Sequence, residues 1–154
     1  SMRRHPQPDC ETEPTDANDL QLAFALLLPI RRQRLRRSER LQRATERALR
    51  EAESQCDSAQ TALENGQQAY QALRERFADR HQAGVQKQER LMQGLEQERH
   101  ASNAVAEQQG ELARCRQETS DKEQQLRHAQ QETQARLRDG EKLEYLMQHS
   151  EALQ

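Results

Sequence analysis

The side chains that could do chemistry are few and scattered. Three cysteines, Cys10, Cys56 and Cys115, stand far apart, with neither CxxC nor metal-ligand spacing. Five histidines, His5, His81, His100, His128 and His149, form no HExxH motif and no i/i+4 pair. The five glycines are isolated, so no P-loop, GxGxxG turn or GxSxG elbow can form. The 26 carboxylates are interleaved with 24 Lys and Arg, the pattern of a solvated helix surface rather than of a paired acid and base. These residues predict a protein that is not an enzyme: no catalytic residue, no cofactor, no metal ligand and no small-molecule substrate. Function must then come from shape and from protein partners.

The elements that carry these residues are helices. Only 32% of the 154 residues are hydrophobic and 3% aromatic, against 32% charged. A compact core at this length needs about 45% apolar residues. Residues 31–154 are rich in Ala, Glu, Gln, Arg and Leu, all strong helix formers, which favours helices burying one narrow seam. All four prolines, Pro6, Pro8, Pro14 and Pro29, precede residue 30, and nothing beyond them forbids a helix.

A seven-residue step from Leu35 gives the seam. It passes through Leu35, Gln42, Leu49, Cys56, Leu63, Tyr70, Phe77, Gly84, Leu91, Glu98, Val105, Leu112, Thr119, Leu126, Thr133, Gly140 and Met147, of which eleven of seventeen are apolar or aromatic. Positions three further on include Ala52, Ala59, Gly66, Leu73, Ala101, Cys115, Ala129 and Leu143. This is the a/d pattern of a coiled coil. It weakens between 80 and 98, where Arg80, Gly84, Lys87, Gly94 and Glu98 take core positions. The weakness, with Gly84 as a helix C-cap, predicts a turn there. Asn65-Gly66 is a competing turn signal, set lower because the seam stays in step across it.

The expected fold is therefore all-α: a long two-helix antiparallel coiled-coil hairpin with a flexible N-terminal tail. Its parts are a disordered leader over 1–17 and a short apolar helix or docking segment over 18–29. Coiled-coil helices follow over 30–82 and 87–150, joined by a turn at 83–86. Pro29 either ends the short helix or opens the next one. A turn near 85 makes residues whose numbers sum to about 171 face each other. Phe77 then meets Gly94, Tyr70 meets Ala101, Gly66 meets Val105 and Cys56 meets Cys115. The last pair reads as two small seam residues rather than a disulfide.

Local features offer contacts. The run LQLAFALLLPI (20–30) is too short to span a bilayer, which takes about twenty residues. It follows an acidic leader and precedes RRQRLRRSER (31–40), with six arginines and one acid. The run either docks on a partner or folds back on the hairpin. The arginines lack interleaved aromatics, and with a net charge of −2 no nucleic acid is expected as a partner. The odd cysteine count and the lack of a secretion signal imply a cytoplasmic setting.

The basic RRQRLRR start (Arg31–Arg37), the Gln/Arg/Glu-rich heptads, the mid-chain defect and the EKLEYLMQ end (141–148) together resemble a family. The chain is similar over about 30–150 to the central-stalk proteins of type III secretion systems and the related flagellar export protein, the YscO/FliJ/HrpO-like group. The resemblance implies a non-enzymatic helical hairpin at the cytoplasmic face of the inner membrane. Its implied partners are a hexameric secretion ATPase, the cytoplasmic ring of the export gate, and chaperones. Membrane association would arise only through that apparatus, with a role in virulence. By position, Arg31, Arg34, Arg37, Glu141 and Met147 would meet the ATPase, while Tyr70, Leu73, Phe77 and His81 would meet the gate. The leader over 1–29 departs from the family pattern, where the basic helix starts near the N-terminus. Rival readings are a structural tether or homodimeric scaffold, an export chaperone, and a stator subunit of the same machinery.

Overall fold

In the computed structural model the backbone of residues 12–82 and 88–153 is described, with side chains for 17–79 and 88–150. Two long helices, α1 (Thr12–Gln82) and α2 (Gln88–Leu153), pack against each other, as expected for an all-α hairpin. The expected turn at 83–86, the Gly84 cap and the first eleven residues of the leader lie outside the described residues. The chain divides into two compact units, one formed by Thr45–Leu126 and one by residues up to Ala44 together with those from Arg127 onward.

In the unit Thr45–Leu126 the helices run antiparallel. Cys56 lies beside Thr119, Gln60 beside Arg116, Arg74 beside Glu98 and Phe77 beside Gly94. Inward positions on α1 step by four and three through Ala52, Cys56, Ala59, Leu63, Gly66, Tyr70, Leu73 and Phe77. On α2 they are Leu91, Gly94, Glu98, Ala101, Val105, Gln108, Leu112 and Cys115. Ala52, Leu63, Leu112 and Cys115 are the buried apolar residues of this unit. Such a step keeps one stripe of each helix on its partner, the physical basis of a coiled-coil seam. Asn65-Gly66 is helical, so that alternative turn is not used.

The seam does not fail at Gly94 and Glu98, contrary to the expectation from periodicity. Both face inward: the Phe77 ring fills the space over Gly94, and Glu98 accepts an ion pair from Arg74 at 3.7 Å. Away from Phe77 the closest contacts are displaced from the expected facing pairs. The Gln108 side chain lies over Gly66, and Cys56 hydrogen-bonds Thr119 while staying near enough to Cys115 to act on its thiol. Side chains lean toward the N-terminus of their own helix. Across an antiparallel pair both therefore come from Cα atoms further along their chains than equal height implies.

Polar residues on the seam are tolerated because their groups find local partners. Thr119 donates its hydroxyl to the Cys115 carbonyl at 3.0 Å, and Thr133 does the same to Ala129. With that proton committed, the Cys56 thiol is the donor in its 3.3 Å contact with Thr119 Oγ1.

The second unit holds the larger correction. The separate short helix expected over 18–29 does not exist, and α1 runs unbroken through Pro29. Thr12–Ala17 are likewise helical rather than part of a disordered leader. Pro29 removes one intrahelical hydrogen bond, at the carbonyl of Ala25, and such an interior proline costs about 3 kcal/mol. Packing against α2 on both sides of it opposes that cost. Phe24 and Leu28 lie on the inward stripe before Pro29, and Arg31, Leu35 and Ser38 continue the same 4-3 step beyond it. Phe24, Ser38, Ala129 and Leu143 are buried in this unit.

Candidate docking surface

The basic start of α1 and the EKLEYLMQ stretch of α2 come together in one unit. Arg31 is half-buried and donates from its guanidinium to the Asp139 carbonyl at 2.8 Å. Arg32 faces Glu144 at 3.9 Å, a solvent-exposed pair worth at most about 1 kcal/mol. Arg31 therefore works first in joining the helices. Arg34 and Arg37, off the seam, are exposed.

On α2, Glu141 is exposed and Met147 sits half-buried on the seam. Tyr145, not singled out as a contact from sequence, is 58% exposed, with its hydroxyl 3.5 Å from His149 Nε2 and the two rings 4.6 Å apart. Its register position, two past Leu143 and two before Met147, points it away from the seam, so the sequence did contain the signal. Leu146 beside it is also exposed.

The apolar run resolves into two faces. Gln21, Phe24 and Leu28 turn inward, while Leu20, Leu22, Leu26, Leu27 and Ile30 are exposed, Leu26 at 69%. A helix apolar all round normally has all its faces covered. The part of this run that does not face α2 is left exposed.

Tyr70, Leu73 and Phe77 are half-buried seam residues of the other unit. Arg74 lies over the Tyr70 ring, with its guanidinium carbon 5.7 Å from the centroid. A partner would meet only the outer edges of these side chains. His81 falls where side chains are not described.

An open groove of about 360 Å³ lies between Leu35, Glu39, Gln42, Arg43, Thr133 and Leu137. It is large enough for a small ligand, but shallow and lined by long charged and amide side chains rather than the enclosed apolar walls such sites use. Among the described residues no His, Cys, Asp and Glu cluster could hold a metal, and no helix is long and apolar enough to cross a membrane.

One titrating cluster stands out on α2. Arg114 grips Glu111 from two nitrogens, the Nε–Oε2 bond being 3.1 Å, and reaches Glu118 at 3.4 Å. Hydrogen bonding from Arg114 holds the Glu111 carboxyl below its ordinary range. Cys115, 3% exposed, points its thiol at Glu111 at 3.7 Å, and burial followed by the Glu111 charge pushes that thiol up. A thiol held protonated is a poor nucleophile. The Arg114 pairs with Glu111 and Glu118 are i,i+3 and i,i+4 contacts along α2.

No family model, no curated protein and no solved structure matches this chain.

Proposed function

We propose that this chain is a non-enzymatic stalk of a type III secretion or export apparatus, linking a hexameric ATPase to the export gate. The observation that carries the reading is the meeting of two segments in one unit. The Arg31 to Asp139 bond and the Arg32–Glu144 pair bring the arginine-rich start of α1 beside the Glu141–Met147 stretch. Around this junction Arg34, Arg37, Tyr145 and Leu146 are exposed, cations and aromatic or aliphatic anchors of the kind protein interfaces use. The two-helix scaffold offers little else to work with than shape and such contacts. In this reading the protein sits at the cytoplasmic face of the inner membrane and transmits motion without doing chemistry.

The test is reconstitution with a hexameric export ATPase. The proposal expects co-purification and a raised ATPase rate, both lost in Arg34→Glu/Arg37→Glu, which leaves the Arg31 bond intact. An unchanged rate and no co-purification with the wild-type chain would overturn it. A second reading, a scaffold that self-associates, is favoured by the exposed leucines of α1.

A further inference from the structure

The exposed apolar positions of α1 form a second register. Starting from Leu20 and stepping three and four, it passes through Leu20, Ala23, Leu27 and Ile30, all exposed. Forward it continues through Arg34, Arg37 and Leu41, also exposed; backward its register positions are Asp16 and Glu13. Asp19, exposed, flanks the row on its acidic side. Each of these positions falls one residue before an inward position, so the row runs along the flank of α1 beside its contact with α2. A 3-4 step there is the pattern of a second coiled-coil seam, and the side chains described on it are exposed.

The order of charges along this row specifies what would cover it. It reads acidic (Glu13, Asp16), apolar (Leu20, Ala23, Leu27, Ile30), then basic (Arg34, Arg37). Laid against a copy of itself in the opposite direction about residue 25, every position from Glu13 to Arg37 finds a partner on the same row, and Leu41 lies beyond the overlap. Glu13 faces Arg37 of the copy, Asp16 faces Arg34, Leu20 faces Ile30 and Ala23 faces Leu27. Each a-type position then meets a d-type position, as antiparallel helix pairs require. A two-fold axis makes each contact occur twice, so four ion pairs flank one apolar centre. A parallel copy would instead set Arg34 and Arg37 against their own kind, which is repulsive.

We infer that the exposed flank of α1 over residues 13–37 is a self-association site, where two copies of this chain pair antiparallel through Leu20–Ile30 with their acidic and basic ends crossed. The site is independent of the stalk reading. It shares Arg34 and Arg37 with the surface proposed for the ATPase, so self-association would withhold that surface until a partner displaces the second copy.

Sedimentation equilibrium on the full chain, with helicity checked by circular dichroism, tests the site. The wild type is expected to show a monomer–dimer equilibrium that weakens as salt is raised. Arg34→Glu/Arg37→Glu and Glu13→Arg/Asp16→Arg should each weaken it by roughly tenfold or more, since each turns four attractive contacts repulsive. Mixing the two variants in equal amounts should restore a dimer, because their reversed charges then match. The fourfold variant carrying both exchanges should dimerise alone yet fail to bind the ATPase, which separates this site from the stalk reading. A wild type monomeric throughout the concentration range overturns the inference. So does a mixture that stays monomeric while both variants remain helical.

Discussion

Phe77 on α1 sets one ring edge against Gly94 on α2, its ring carbons Cδ2 and Cε2 3.0 and 3.2 Å from where a Cβ on that glycine would stand. The contact joins a large residue to the smallest one across the seam, and it marks how closely the two helices approach in this unit.

Glycine substitutions should therefore differ in sign by position. Replacing an interior helix glycine by alanine is worth about 0.8–1 kcal/mol where space allows. Gly110 has nothing near its missing Cβ, so Gly110→Ala should gain about that amount. Gly66→Ala meets only the end of the Gln108 side chain, whose Oε1 is buried without a hydrogen-bond partner, so swinging it into water should leave a net gain. Gly94→Leu must displace the Phe77 ring and should lose about 1–3 kcal/mol. Thermal melts of the three variants check the order; a stabilising Gly94→Leu would contradict the packing.

Pro29 stands exposed inside a continuous helix. Pro29→Ala restores the missing N–H to the Ala25 carbonyl and removes no buried group. It should raise stability by about 1–3 kcal/mol. Amide exchange over residues 20–35 should slow at the same time. Unchanged or faster exchange would mean that the helix does not run through this position.

Cys115 should label more slowly than Cys56. It is almost fully buried and its thiol is pushed up, whereas Cys56 is only half-buried. Folding disfavours the thiolate, so nothing is lost below the ordinary thiol pKa of about 8.5, and stability declines as pH rises beyond it. Cys115→Ala should remove that part of the alkaline slope. Timed alkylation with mass spectrometry, and melts across the alkaline range, check both statements. Equal labelling of the two thiols would contradict the burial of Cys115.

The seam between Ala52 and Phe77 was legible because only one face there is apolar, and periodicity then names the buried face. Over Leu20–Ile30 every face is apolar, and periodicity cannot choose between them. That is why Phe24 could not be singled out as core, nor Leu26 as surface. Pro29 read as a boundary because its local cost is real; packing by Phe24 before it and Leu35 after it was not visible locally. Gly94 and Glu98 looked like defects because a glycine filled by Phe77 and a glutamate paired with Arg74 are recognised only when the opposite helix is in place. Of the contact residues expected from position, Arg34 and Arg37 are exposed, while Arg31 has a structural task within the hairpin. Tyr145 needed only the seam register to be seen as outward-facing.

The antiparallel return of α2 along α1 is the claim on which everything else depends, and Cys56 measures it. In a Cys115→Ala background, Thr119→Cys places a second thiol where the Thr119 hydroxyl now lies, 3.3 Å from the Cys56 sulfur. A Cys10→Ala change removes the remaining thiol. Mild oxidation followed by non-reducing electrophoresis and peptide mapping should give an intramolecular disulfide between Cys56 and the thiol introduced at position 119. It should form in monomeric chain at any protein concentration. A control with the second thiol placed instead at exposed Gln117 should not form it. Only intermolecular, concentration-dependent links, or equal linking by the Gln117 control, would contradict the hairpin.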